Sequence, residues 1–289
     1  MTRIIEHKLI EADFYEESYK NAPFYHGFTP EEYKKNLNSR MVYMEKNKLP
    51  LLAINFKDEL LGYIFISSNK VADVYLKSHD SPMVQKLKKS NLEHILKEKN
   101  DLIDVLYLMT IYSDGVLLNG FKIINLHMEK NILGDNDCYD IDFKKFSYLD
   151  KDKYFDLDNF KKTTVRDYMQ EDPIISESEA VEKFEKYVLP VFEMDNQKMY
   201  GVYWNNKVIG VLWLYQKTPE KIFIAYVEIF EEFRGQGFGK KVMHGMFSFI
   251  KKLGYKSIQL HVFGHNRKAI KLYEKTGFKK TMVRYRYTR

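Results

Sequence analysis

The sequence predicts a mixed α/β chain with a mostly antiparallel sheet, a fold that occurs twice along the chain. Two apolar hairpins, the alternation of strands and helices after each, and a tripeptide repeated at about half-chain distance carry that reading. In the first half, residues 49–56 and 60–66 are apolar and flank Lys57, Asp58 and Glu59, so they read as a hairpin. Residues 71–76 follow as a strand, 83–97 as a helix and 101–108 as a strand. Gly120-Phe121-Lys122 recurs as Gly277-Phe278-Lys279. Residues 150–160 and 178–188 read as helices with acidic faces. In the second half, residues 198–204 and 208–215 are rich in aromatic and β-branched side chains and flank the turn cluster Asn205, Asn206 and Lys207. A third strand spans 221–230. A helix over 240–253 carries Val242, Met246, Phe249 and Ile250 at helical spacing, with Gly254 as its C-cap. Strand 257–263, a short helix over 266–275 closed by Gly277, and strand 282–287 complete the chain. The turn-rich Gly134–Asp137 is the expected boundary, giving domains 1–135 and 136–289.

Composition sets the class. Of 289 residues, 45% are hydrophobic and 30% charged, which excludes long disorder. No stretch approaches the roughly 20 apolar residues of a membrane span. The N-terminus carries charges at once, so no signal peptide and a cytoplasmic location are expected. The single cysteine, Cys138, excludes an internal disulfide and a cysteine-built zinc site, and it reads as a bystander. His244 and His265 have no carboxylate or cysteine partners at ligand spacing, so no metal is expected.

Charge is unevenly spread. The overall +6 divides into −1 for residues 1–135, −7 for 136–195 and +14 for 196–289. The last third is therefore suited to a polyanion. The aromatics do not alternate with a basic stripe as a base-stacking platform requires, so nucleic acid is not the expected partner. A phosphorylated small cofactor fits a compact basic region.

Residues 231–240, E-E-F-R-G-Q-G-F-G-K, point to where such a ligand binds. A strand runs into three glycines at alternate positions and a helix begins. Glycine permits positive φ and removes the side chain that would hold a ligand off the backbone, while the first amides of a helix form an anion site. Arg234 and Lys240 add charge at the rim. A Walker A loop is excluded, because Arg234 and Lys241 stand where it needs glycine and a hydroxyl residue. A dinucleotide fingerprint is excluded by Lys240 at its last glycine.

The segment R-G-Q-G-F-G-K after a strand resembles the acyl-CoA loop of the GCN5-related N-acetyltransferases, the GNAT family. A second segment, N-R-K-A-I-K-L-Y-E-K-T-G-F from Asn266 to Phe278, resembles that family's N-x-x-A-x-x-L-Y-x-x-x-G-F signature at every specified position. One helix and one strand separate the two, in the family's order. The motifs cover roughly residues 138–289, while the first half resembles the fold only through its element pattern and G-F-K.

The resemblance implies a mixed central sheet with helices on both faces, and acetyl-CoA as co-substrate. It implies that strands four and five of the second half splay apart to admit the pantetheine arm. Val227, Glu228 and Ile229 would bond that arm or polarise the thioester carbonyl. The amides of Gly235, Gln236, Gly237, Phe238, Gly239 and Lys240 would hold the pyrophosphate, and Asn266 would cap its helix and touch the cofactor. Tyr273 fills the position from which the family protonates the departing thiolate. Strand alternation puts Glu228 and His261 on the cleft side, and either is a candidate base for the attacking amine. Some members of the family place a catalytic carboxylate where this chain has His261, which leaves the choice of base open.

The acceptor is expected to be a small-molecule or peptide amine. Asp150, Asp152, Asp156, Asp158, Glu177, Glu179, Glu182 and Glu185 form an acidic run that would attract a cationic one, such as a polyamine, an aminoglycoside or a basic peptide. The alternative reading is a catalytically silent acyl-CoA sensor. The corresponding loop of the first half, residues 70–83, has no glycine and loses an amide at Pro82, so no cofactor is expected there. A monomer or homodimer is expected.

Overall fold

A computed structural model describes residues 2–7, 10, 13–20, 30–67, 70–78, 80–90, 92–99, 102–112, 118–134, 140–145, 157–171, 175–187 and 197–288. The chain runs through β1 (Thr2–His7), α1 (Phe14–Lys20), α2 (Pro30–Lys46), β2 (Leu51–Phe56), β3 (Glu59–Ile66), β4 (Val71–Leu76), α3 (Ser81–Lys89), α4 (Leu92–Glu98), β5 (Val105–Ile111) and β6 (Phe121–Asn131). It continues with β7 (Asp142–Lys145), α5 (Leu157–Glu171), α6 (Glu177–Tyr187), β8 (Gln197–Trp204), β9 (Lys207–Thr218), β10 (Lys221–Ile229), α7 (Phe238–Lys252), β11 (Ser257–Phe263), α8 (Arg267–Lys275) and β12 (Lys279–Thr288). No helix among the described residues is long and apolar enough to cross a membrane.

Two compact units emerge, one from Met1–Ile124 with Thr281–Arg289 and one from Asn125–Lys280. In the first, β1 to β4 pair antiparallel in sequence order, β4 runs parallel to β5, and β12 closes antiparallel on β5. In the second, β7 to β10 pair antiparallel, β10 runs parallel to β11, and β6 closes antiparallel on β11. Both are mixed, mostly antiparallel sheets of one plan, as the repeated sequence pattern predicts. The units do not meet at the expected boundary of 135/136. Each takes its closing strand from the other half of the sequence: β6 joins β11 through Asn125–Asn131, and β12 joins β5. Turn residues mark where the chain leaves an element, and they carry no signal for which sheet a strand joins.

Several elements differ from the reading by pattern. The helix expected over 83–97 is two helices, because the Ser90 hydroxyl and N–H both donate to Leu87 carbonyl oxygen and cap α3. The helix expected over 150–160 begins at Leu157 and runs to Glu171, and 150–156 lie outside the described residues. Cys138 and the chain from 188 to 196 lie outside them as well.

The second unit carries helices on both faces. Met199, Val211 and Trp213 pack with Phe160, Val165, Ala180 and Phe184 of α5 and α6. Tyr200, on the opposite face of β8, lies with its ring 5.0 Å from Phe249 of α7. Phe143 of β7 stacks on the same phenylalanine at 4.9 Å.

The two units also repeat their glycines. A Cβ on Gly62 of β3 would sit 2.2 Å from Tyr75 carbonyl oxygen on β4, and one on Gly210 of β9 would sit 2.1 Å from Glu228 carbonyl oxygen on β10. The G-F-K glycines both adopt positive φ, +76° at Gly120 and +92° at Gly277. Gly210→Ala is therefore expected to force β9 from β10 and to destabilise the second unit by roughly 1–3 kcal/mol, read as a lower urea midpoint. An unchanged midpoint would show that the hairpin absorbs the methyl group.

Candidate functional site

The site grows from a parallel pair that stops early. Only Lys221–Ile224 of β10 pair with β11, opposite Ser257–Leu260. Ile224 and Tyr226 then pair with Leu214 and Trp213, adjacent residues of β9, so Ala225 is an extra residue in the strand. The bulge bends β10 away from β11 and leaves that edge without a strand partner beyond Ile224. It also resets the alternation, so Phe223 and Tyr226 share the face of Tyr215 and Trp213.

A cleft of about 540 Å³ occupies the divergence. Its sheet wall includes Trp213, Tyr215, Phe223, Tyr226, His261 and Phe263. Phe160, Thr163, Thr164, Asp167 and Tyr168 come from α5, while Asn266, Ala269 and Tyr273 come from the start and body of α8. Val227 also lines it.

The glycine loop follows β10 directly. After a 3₁₀ turn at Glu231–Phe233, Gly235 and Gly237 take φ of +76° and +80°, which disfavours any side chain there. Gly237 is the N-cap of α7, and no side chain caps the amides that follow. Such a helix start presents its first N–H groups and positive dipole end to an anion. Gly239 lets α7 approach α8, since a Cβ there would meet Leu272 at 3.3 Å. Gln236 donates to Glu232 carbonyl oxygen at 2.8 Å and shapes the turn. Lys240 and Arg234 are exposed at its rim, while Phe238 turns inward as a buried anchor.

The corresponding helix of the first unit carries a side-chain cap at its start. Asp80 caps α3 and accepts from Met83 N–H at 2.8 Å, so a carboxylate already occupies that helix start.

Glu228 is committed to neighbours. Tyr226 donates its hydroxyl to Oε2 at 2.7 Å and Arg234 pairs with Oε1 at 2.7 Å. Arg234 also donates from Nε to Ile229 carbonyl oxygen at 2.8 Å, so the pair fastens the loop to the strand end. Glu228 is not among the residues lining the cleft, and Ile229 lies beside it at the strand terminus. Burial and the adjacent Glu228 carboxylate push the Tyr226 phenol well above its ordinary range.

His261 does line the cleft. Its ring meets Phe223 at 4.9 Å and His127 at 5.2 Å, both edge-on. The ring borders open cleft space while protein surrounds it on its other sides. His261 is exposed on its cleft side, and desolvation by the protein packed behind the ring, with the Lys217 ammonium nearby, pushes the imidazole down to about 4. Tyr273 is half-buried beside Phe278, 5.7 Å between ring centroids, and desolvation pushes its phenol up to about 12. Asn266 Oδ1 accepts from Ala269 N–H at 3.1 Å and so caps α8.

Asp167 and Asn125 are among the cleft residues not singled out by pattern. Asp167, on α5, is a half-buried carboxylate whose pKa is raised by burial against the opposing pull of Arg166 and His265. His265 Nε2 stands 3.8 Å from its Oδ1. Asn125, 7% exposed, has a buried Oδ1 with no hydrogen-bond partner. Asp167 sat unnoticed inside an acidic run; Asn125 sat beyond the assumed domain boundary.

Residues 161–278 match the family model described as Acetyltransferase (GNAT) family. The N-acetyltransferase YdgE of Bacillus subtilis (strain 168) is 32% identical over 119 residues, 38% of this chain and 76% of that protein. YycN of the same organism is 32% identical over 95 residues, 32% of this chain, and the chain spans only 61% of its length. Among solved structures, a GCN5-related N-acetyltransferase from Sphaerobacter thermophilus superposes with a TM-score of 0.48 at 14% identity, covering 99% of this chain and 95% of that one. YycN superposes with a TM-score of 0.43 at 24% identity, covering 48% and 92%.

The environment of His261 makes a pH prediction. In an NMR titration its imidazole is expected to protonate near pH 4 and to stay neutral through pH 5–8. Lys217→Met removes a repelling charge and is expected to raise that midpoint. A wild-type midpoint near the ordinary value of about 6.5 would overturn the desolvation picture.

Proposed function

Because the chain belongs to the GNAT family of acetyltransferases, we propose that its second compact unit transfers an acetyl group from acetyl-CoA to a primary amine. The observation that carries this reading is an uncapped glycine helix start placed directly after a strand that has lost its parallel partner. In this reading the diphosphate rests on the amides of Gly235 to Lys240. The pantetheine arm runs along the open edge of β10 at Val227–Ile229 and takes the place of the missing strand. Arg234 is held by Glu228 and Ile229, so its role is to fix the loop as well as to add charge.

Glu228 would have to release Tyr226 or Arg234 before acting as a base. His261 needs no such release, lines the cleft and is neutral at physiological pH. With its pKa near 4 it is a weak base, so it serves best by accepting a hydrogen bond from the attacking nitrogen and passing the proton to water. Tyr273 at about 12 is a weaker acid than a thiol, whose ordinary pKa is about 8.5. It therefore stabilises the departing sulfur through an O–H hydrogen bond rather than by giving up its proton outright.

The first unit is assigned no cofactor, because Asp80 fills the helix start that the diphosphate would need. Calorimetry is expected to find one acetyl-CoA per chain. Of the acidic run, Asp158, Glu177, Glu179, Glu182 and Glu185 stand exposed outside the cleft lining. They support long-range attraction of a cationic amine, not its seating. Asp150, Asp152 and Asp156 lie outside the described residues.

Gly237→Val places a β-branched residue at positive φ and is expected to weaken acetyl-CoA binding at least tenfold, on the order of 1.4 kcal/mol. Tyr273→Phe is expected to lower kcat by about 10- to 100-fold while the acetyl-CoA Kd stays within about twofold. Free thiol released in the presence of amines reads the first step of the argument; binding of acetyl-CoA without any release would mark a silent sensor instead.

A further inference from the structure

Resting on that reading, the acceptor face of the cleft narrows the class of amine. The sheet wall that faces α5 and α6 is aromatic, through Trp213, Tyr215, Phe223 and Tyr226, and α5 adds Phe160 and Tyr168. Their flat faces suit an apolar body and a single cation resting beside it. Among the described lining residues Asp167 is the one carboxylate. On the sheet floor the charge is of opposite sign, because the Lys217 Nζ lies 5.8 Å from the Phe223 ring and its field reaches His261. A polyamine brought into this space would bury a second ammonium with no described carboxylate to pair it, at high cost.

Asn125 adds a second requirement. It pairs with Phe263 across β6 and β11, and His127 pairs with His261, so the alternation puts Asn125 on the acceptor face. Its side chain lines the cleft, yet Oδ1 is buried with no partner. Buried polar atoms are nearly always satisfied, and leaving one unmet lowers stability. A donor on the bound acceptor would satisfy it.

We infer that the acceptor is a monoamine carried on an aromatic body, with its ammonium entering beside Asp167 and a ring-borne hydrogen-bond donor reaching Asn125. The strand that supplies Asn125 comes from the first half of the sequence. That half then reads the substrate of a reaction whose motifs lie entirely in the second.

The test compares tyramine, phenethylamine and spermidine as acceptors for the full chain with acetyl-CoA, by thiol release. Tyramine is expected to exceed spermidine in kcat/KM by tenfold or more, and phenethylamine, which lacks the phenol, to fall between them. Asn125→Leu is expected to abolish the preference for tyramine over phenethylamine through KM and to hold or raise Tm. The rise follows because an unpaired buried carbonyl has been removed. Equal or better use of spermidine overturns the inference and leaves acetyl transfer standing. Equal use of tyramine and phenethylamine by the wild type overturns it too, as does a tyramine preference that survives Asn125→Leu. If no amine yields thiol, both readings fall, and calorimetry with acetyl-CoA then tells a silent binder from a chain that does not bind it at all.

Discussion

The second unit depends on one interrupted interaction, the hydrogen bonding between β10 and β11. Four residues of β10 pair in parallel, and the bulge at Ala225 then turns the strand aside. A continued pair would have buried its backbone groups in the sheet and left no cleft. Divergence instead leaves an open strand edge and a cleft walled by aromatic side chains. The edge can stay open because β9 holds β10 firmly from the other side, with Gly210 allowing close approach to Glu228 carbonyl oxygen. Glu228 and Arg234 then carry that rigidity past the strand end into the glycine loop. The residue most easily taken for a base is, by its contacts, a brace.

Comparison of the two units shows how little separates an uncapped helix start from a capped one. Both have a parallel pair of four residues in register, both carry a glycine against the neighbouring strand, and both keep a positive-φ glycine in G-F-K. They differ at the helix after the diverging strand. Gly237 leaves its amides uncapped, whereas Asp80 fills the same place with its own carboxylate. A side-chain cap stabilises a helix by about 1 kcal/mol, so the first unit gains stability where the second keeps a vacancy for an anion.

Much of this was legible in the sequence because local rules carried it. Hairpins announced themselves through Asn205-Asn206 and Lys57-Asp58, all four at positive φ. The glycine loop and the Asn266 cap rested on backbone chemistry that spacing reveals. What stayed hidden was non-local. Nothing in residues 121–131 says that β6 pairs with β11, so Asn125 could not be placed in a cleft built by residues some 140 positions away. The bulge at Ala225 depends on how β9 and β10 fit, and no glycine or proline marks it. Asp167 looked like one acid among many until α5 set it against the aromatic wall.

Desolvation first, and then the charge pattern around the cleft, keep the His261 imidazole neutral. Glu129 accepts from Lys221 at 3.0 Å and from Gln259 at 2.9 Å. Burial alone would raise its carboxyl, but those contacts hold it below the ordinary range. Its charge is therefore spent on Lys221. Lys217, pushed down by burial and by Lys221, receives only part of that compensation. A proton on His261 would add another cation beside an under-compensated one, on a ring backed by protein and open only along the cleft, so the ring gives it up. The negative charge of the cleft lies instead on the α5 wall, at Asp167. The field across the cleft thus has a direction, negative on the helix side and positive on the sheet floor. A cation entering the cleft meets attraction at the helix wall and repulsion at the sheet floor.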